Sequence, residues 1–382
     1  VNVEAVRARF SSLQNGFAFF DAPGGTQVPD EVGQAIANAL REASGNLGAP
    51  YATGRAVEQI LARAKADAAR FLGCTPDEIS FGMNMTTLDF ALSRAAGRDL
   101  AAGDEVLTTQ LDHDGGVAPW VELAADKSLT VRVARATDEL TIDYDDLERQ
   151  VTDRTRVVAF ALASNATGSV ADAKRICALA RDAGAISWID AVHYAAHEPI
   201  DVRDIDCDVL LCSPYKFCGP HLGIAYVRRA LAETWRPYKA RPSSSSPVGR
   251  RFETGTLPYE LLAGFSATVA YLDTIGGMTA VREYERGLGA RFLAGLPENV
   301  TLYGVPTMDE RVPTFLFNVD VPAADAATRL AERGIGVWHA DNWYCVALGP
   351  RLPAQTIRAG IAHYNTEAEV DRLLGELAAL GR

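Results

Sequence analysis

Between residues 28 and 227 the apolar positions of this chain alternate between two periods, and that alternation predicts its architecture. VPDEVGQAIANALREA and VEQILARAKADAARFL repeat apolar residues every three or four positions, as amphipathic helices do, and Pro29 with Asp30 opens the first. EISF (78–81) predicts a short strand, with a helix TLDFALSRAA behind it. DEVLTT (104–109), LTVRVA (129–134) and RVVAFALAS (156–164) predict buried strands, the last almost continuously apolar. DAKRICALARDAGA predicts a helix with Asp172 near its start. AISWID (185–190), CDVLLCS (207–213) and GIAYVRR (223–229) are further strands. Strands without a polar face, alternating with helices, predict an α/β fold with a mostly parallel central sheet and helices on both faces. Ligands of such sheets bind beyond the carboxyl ends of the strands, which draws attention to Ser164–Asn165, Asp190 and Ser213–Lys216.

The pattern changes after the Ser-, Pro- and Arg-rich loop RPSSSSPVGRRF (241–252). Helices are expected over 257–274 and 278–295, then strand TFLFNV (314–319), helix AADAATRLAERG, and strands YCVALG and IRAGIAH. A terminal helix opens with Thr366 and Glu369 at capping-box spacing. The expected division is a large α/β domain over 20–260 and a smaller α+β domain from 1–19 and 261–382, a size split that 382 residues invite.

Composition narrows the partners. With 48% hydrophobic and 23% charged residues and no apolar run of the ~20 residues that a membrane helix needs, the chain is expected to be soluble, without a membrane partner. VNVEAVRARF lacks the basic and apolar regions of a secretory signal, so the expected location is cytoplasmic. A net charge of −12 argues against nucleic acid. The cysteines at 74, 177, 207, 212, 218 and 345 form no C-x-x-C pair and mostly sit in apolar stretches, so neither a disulfide framework nor a metal site is expected.

Two strand ends carry chemistry. Lys216 follows CDVLLCS in SPYKFCGP, and Asp190 ends AISWID. Taken singly, each reads as an ordinary turn lysine or helix-cap aspartate. Together they suit pyridoxal 5′-phosphate (PLP), which needs an amine to carry it as an imine and a carboxylate to keep its ring nitrogen protonated. A Rossmann-type dehydrogenase would share the strand pattern, but no G-x-G-x-x-G follows an early strand.

From FFDAPGGTQVP (19–29) to IRAGIAHYNTEAEVDRLL (357–374) the chain resembles the class V aminotransferases, fold-type I PLP-dependent transferases, of the cysteine-desulfurase-like group. The resemblance implies roles position by position. His113 in QLDHDGGVAPW would stack on the cofactor ring, with Asn165 in LASNATGS near its phenolic oxygen. His193 falls where desulfurases often carry glutamine. Thr86 and Thr87 in GMNMTTLDF would meet the phosphate at a helix N-terminus, helped by Ser213 and Tyr215, although histidine is usual where Tyr215 stands. RFETGT (251–256) implies a homodimer in which Thr256 reaches the neighbouring subunit's phosphate. Arg358 would clamp the α-carboxylate of a small amino-acid substrate.

The resemblance breaks where relatives carry the sulfur-accepting cysteine. In GIGVWHADNWYCVALGPRL (334–352) that position falls near Trp343, and Cys345 lies two residues later inside apparent strand YCVAL. Cys345 is thus a sulfur acceptor after a local shift, or a buried cysteine of no chemical role, the reading its apolar neighbours favour. PYATGR (50–55) and APGGTQ (22–27) also depart from the family, and Asn342 and Trp343 are expected on the substrate side. The expected activity is PLP-dependent C–S lyase chemistry. Aminotransferase and epimerase outcomes stay open, and a non-catalytic PLP-fold binding protein is a remoter alternative.

Overall fold

The computed structural model describes residues 1–241 and 243–380. Pro242, inside the Ser-rich loop, lies outside the described residues.

Seven strands form the central sheet: β1 (Ile79–Gly82), β2 (Glu105–Thr109), β3 (Thr130–Ala134), β4 (Thr155–Ala161), β5 (Ile186–Asp190), β6 (Val209–Cys212) and β7 (Gly223–Val227). Their order is β1-β7-β6-β5-β4-β2-β3. β2 through β6 pair in parallel, and β7 runs antiparallel to both β6 and β1. The α/β fold expected from the sequence is the fold observed.

Alternate residues of one strand feed two cores, which is why the strands read as continuously apolar. Val157 and Ala159 of β4 pack with Leu88, Trp120 and Trp188 on one face, while Val158 and Phe160 join Leu61, Phe265 and Tyr271 on the other. Trp188 sits between Trp120, edge-on at 4.9 Å, and Trp235, stacked at 5.9 Å. LTVRVA departs from its expectation. As β3 it is the sheet's edge strand, with Thr130 and Val133 exposed, because no strand lies beyond it to bring a covering helix.

Two further differences have clear causes. The helix Asp114–Lys127 is hidden in the sequence by Gly115, Gly116 and Pro119, residues that ordinarily break helices. Its place is fixed instead by burial of Trp120 and by the His113 N-cap, whose Nδ1 accepts the Gly115 N–H at 2.9 Å. YCVALG is not a strand. Trp343 and Tyr344 both have positive φ, and Cys345 N–H closes a turn onto the Asn342 carbonyl at 2.8 Å.

The smaller sheet holds β8 (Thr301–Tyr303), β9 (Thr314–Asn318), β10 (Trp338–Ala340) and β11 (Thr356–Gly360). It is antiparallel throughout, in the order β10-β11-β9-β8. Its core is a separate cluster around Phe292, Phe315, Phe317 and Ile357. The N-terminal segment joins this unit through Ala18–Phe19, paired in parallel with Ile335–Gly336. The helix Tyr259–Thr274 packs on Asp30–Glu42 and Ala52–Leu72.

Glycine at 223 lets β7 pass against the turn that starts the helix Met85–Ala96, since a Cβ there would collide with the Asn84 carbonyl. Gly223→Ala should therefore cost about 1–3 kcal/mol, seen as a lower urea midpoint with unchanged slope. Gly33→Ala, in a helix with open space at that position, should leave the midpoint unchanged or raise it.

Candidate active site

Strands β4, β5 and β6 all run in one direction and end beside one another, and β1 ends nearby in the turn Gly82–Asn84. A cavity of about 280 Å³ opens there, closed on its far side by the smaller unit. The structure brings Lys216, Asp190, His113, Asn165, His193 and Thr86 to its wall. Ser213, Tyr215, Asn342, Trp343 and Arg358 line it as well. Thr87, Thr256 and Cys345 do not.

Lys216 leaves β6 through the short turn Pro214–Lys216. Its Nζ donates to the Pro23 carbonyl and lies 4.7 Å from the centre of the Tyr215 ring. Burial, aided by the Arg358 charge, brings the amine down to about 7, with Asp190 and Asp21 pulling the other way. Asp190 ends β5, and its Oδ1 accepts the Val192 N–H at 2.9 Å. Burial raises its carboxyl to about 7; the Val192 N–H opposes the rise, Asp112 adds to it, and Lys216 opposes it. A cationic ring nitrogen set against Asp190 would hold this carboxyl ionised.

Behind Asp190 lie acids that the sequence reading missed. Asp112, raised to about 6 by burial, accepts N–H bonds from Thr109 (2.6 Å) and Ala161 (2.7 Å), so it ties β2 to the end of β4. Asp89, on the helix Met85–Ala96, accepts from Trp188 Nε1 at 3.0 Å and is pushed well up by burial and by the Asp190 charge. Asp21, raised by burial, faces Arg358 and Lys216. No spacing rule marks these acids, because each acts across the fold.

The helix Met85–Ala96 starts at the cavity. Asn84 caps it by accepting the Thr87 N–H at 2.8 Å, and Met85 N–H donates to Ser213 Oγ at 3.1 Å. The Thr87 hydroxyl also turns to the Asn84 side chain, at 2.7 Å, and its residue is exposed, so Thr87 serves the cap while Thr86 faces the cavity. A Cβ on Gly115 would stand 2.9 Å from both His113 Nδ1 and Thr86 Oγ1, which shows how closely these groups pack. With Nδ1 accepting from Gly115, the proton of neutral His113 is assigned to Nε2. Burial lowers this imidazole to about 4, with the Lys216 and Arg358 charges adding. Its ring stacks on Tyr344 at 5.5 Å and 25°.

Arg358 lies on β11 and is 5% exposed. Its Nη1 donates to the Asn165 carbonyl at 2.8 Å, and its guanidinium sits 4.2 Å from the centre of the Trp343 ring. Burial lowers it to about 10. Asn165 Nδ2 donates to the Trp343 carbonyl at 2.9 Å, and Cys345 Sγ donates to Asn165 Oδ1 at 3.1 Å. Cys345 is fully buried, its thiol pushed up by that burial. It stands behind the wall of the cavity rather than on it.

This donor set fits PLP. It offers a buried amine of lowered pKa, a buried carboxylate at the end of a neighbouring strand, an imidazole on the cavity wall, and a helix N-terminus with a hydroxyl for phosphate.

Comparison with known proteins agrees. The profile of the aminotransferase class-V family matches residues 18–373. A probable cysteine desulfurase of Mycobacterium leprae is 32% identical over 100% of this chain and 97% of its own length. An aminotransferase-like protein of Gibberella zeae is 29% identical over 98% and 97%. The apo structure of the cysteine desulfurase from Thermococcus onnurineus superposes with a TM-score of 0.92 at 26% identity, covering 99% of this chain and 97% of that one. The chain belongs to the class V aminotransferase family, a family of PLP enzymes.

Proposed function

We propose that this protein is a PLP-dependent C–S lyase of the cysteine-desulfurase-like kind, acting on cysteine or a small S-substituted relative and releasing its sulfur as free sulfide or thiol. One observation carries the reading. Lys216 and Arg358 converge on one cavity, while none of the six cysteines lines it.

In this reading Asp190 holds the ring nitrogen, Lys216 the aldehyde carbon, and Thr86, Ser213 and the start of the helix Met85–Ala96 the phosphate. When bound, PLP supplies an electron sink for the pair left behind when a bond to Cα breaks. Arg358 fixes the substrate carboxylate through two parallel N–H donors, a geometry that a lysine cannot offer. Lys216, with an amine near neutrality, takes the Cα proton as general base. Asp190 stays ionised once a cation faces it, and His113 screens this region from water. With no thiol on the cavity wall to receive sulfur, the Cβ–S bond breaks to give a free product. For cysteine the balance is cysteine plus water to sulfide, pyruvate and ammonium.

Two copies of the chain are needed in this reading. Thr256, in RFETGT, is exposed and outside the cavity of its own chain, which supports a homodimer in which it completes its neighbour's phosphate site.

Four outcomes are expected. Lys216→Ala should abolish turnover of cysteine, and borohydride after PLP addition should fix a pyridoxyl label on Lys216 in the unaltered protein alone, read by peptide mass. Pyruvate and sulfide should form in equal amounts; alanine as the main product with sulfur bound to the protein would overturn the lyase reading. Arg358→Gln should lower kcat/KM about 10–100-fold, the loss of charge-assisted bonds to a carboxylate. Before PLP is added, Lys216 is half-deprotonated at about pH 7. Reductive methylation by formaldehyde should therefore label it with a midpoint near that pH, whereas ordinary lysines keep gaining label towards ~10.4.

A further inference from the structure

We propose that His193 presents a fixed Nδ1–H to the cavity as a neutral hydrogen-bond donor, and that Thr314 is the positioning residue that fixes it. This rests on the PLP reading above and deepens it.

His193 lines the cavity and is 3% exposed. Its Nε2 lies 2.9 Å from Thr314 Oγ1, while its Nδ1 is buried with no partner among the described residues. Thr314 is fully buried, and its hydroxyl has His193 as its one side-chain partner among the described residues.

Counting unmet groups decides the tautomer. If Nε2 carried the proton and donated to Thr314, the threonine O–H would lack an acceptor and a bare Nδ1 would lack a donor. If instead the threonine O–H donates to Nε2, one group is left unmet, the Nδ1–H. His193 lines the cavity, so in this proposal an acceptor oxygen of a bound ligand satisfies that proton. The second arrangement leaves fewer buried groups unpaired, so it is the one the fold selects.

Protonation on both nitrogens is opposed from every side. His197 meets the ring edge-on at 5.1 Å and 79°, itself held by Glu285 at 2.7 Å. Burial already makes the site hostile to charge, and the Lys216 and Arg358 charges add positive potential to it. His193 is therefore a neutral donor through the working pH range.

Thr314 begins β9 of the smaller unit, and His193 follows β5 of the large one, so the tautomer is set across the joint between them. Gly168 makes the close approach possible. It has φ +79°, and a Cβ there would stand 2.6 Å from the Thr314 carbonyl oxygen. Glutamine, expected at position 193 from the resemblance, always carries a donor. Histidine carries one on the correct atom only if another group dictates it, and Thr314 is that group. The ligand atom served is an acidic aromatic oxygen, which PLP carries on its ring.

The experiment compares the unaltered protein with Thr314→Val, Thr314→Ser and His193→Gln, each loaded with PLP. The visible absorption band is titrated with pH, and the histidine tautomers are read in the PLP-free proteins by ¹⁵N NMR. A donor to the aromatic oxygen stabilises its anion, so T314V should raise the pH midpoint of the colour change by about one unit, a tenfold change in proton affinity. T314S should restore it, and T314V should change nothing further in the H193Q background. The ¹⁵N spectrum should show Nδ1–H for His193 in the unaltered protein and a tautomer mixture in T314V. An unmoved midpoint in T314V, or Nε2–H in the unaltered protein, overturns the proposal. Failure of the unaltered protein to take up PLP would overturn the PLP reading as well, so the two failures are distinguishable. If T314V does not fold, T314A gives the same comparison.

Discussion

The cavity is organised around the burial of two basic side chains, Lys216 and Arg358, both lowered by burial, with the Arg358 charge lowering Lys216 further. Neither is matched by a carboxylate in a close ion pair among the described residues. A buried unpaired charge is among the most costly features a fold can carry. The two side chains meet this cost differently. Lysine can shed its proton, because burial and the Arg358 charge bring its pKa down to about 7. Arginine cannot, so Arg358 takes a carbonyl from Asn165 and the face of Trp343 instead. An anionic ligand relieves both, and a ligand carrying phosphate together with an amino acid carrying carboxylate brings the missing charge.

The acids complete this arrangement in graded roles. Asp112 uses its oxygens on the backbone of β2 and β4 and has little left for a ligand. Asp89 is fully buried and spends one oxygen on Trp188, one of three tryptophans that fix the underside of the sheet. Asp190 spends Oδ1 on the Val192 N–H and keeps its other oxygen for the cavity. The same kind of side chain thus becomes scaffold or ligand group according to whether the fold leaves one of its oxygens at the cavity.

Much of this was legible in the sequence because it is local or strongly patterned. Continuous apolar runs marked β2, β4, β5, β6 and β7, and the strand-end rule marked Asp190 and Lys216. The helix Asp114–Lys127 was illegible because Gly115, Gly116 and Pro119 speak locally for a loop, and only the burial of Trp120 outweighs them. YCVALG spoke for a strand by composition, yet the positive φ of Trp343 and Tyr344 makes it a turn, a choice imposed by bonds to Asn165 and Asp114 far away in the chain. Thr87 has the right residue type beside the right helix, and its hydroxyl is taken by Asn84. Thr314 and Asp21 carried no signal at all, since their importance lies wholly in what the fold sets against them.

That turn also bears on where sulfur goes. For Cys345 to receive a sulfur atom, its thiol would have to reach the cavity and ionise there. Its segment is held by Asn165 on the Trp343 carbonyl, by Trp343 Nε1 on Thr356 Oγ1 at 2.7 Å, and by Asp114 N–H on the Tyr344 carbonyl at 2.6 Å. Breaking three such bonds costs roughly 0.5–1.5 kcal/mol each, before the thiol's own resistance to ionising is met. Freeing Trp343 would also strip Arg358 of the ring that faces it, exposing the constraint on which the cavity rests. The mouth offers sulfur an easier exit, past the exposed side chains of Trp338 and Tyr344. The aromatic turn that shelters Arg358 is thus the same element that holds Cys345 buried behind the cavity wall.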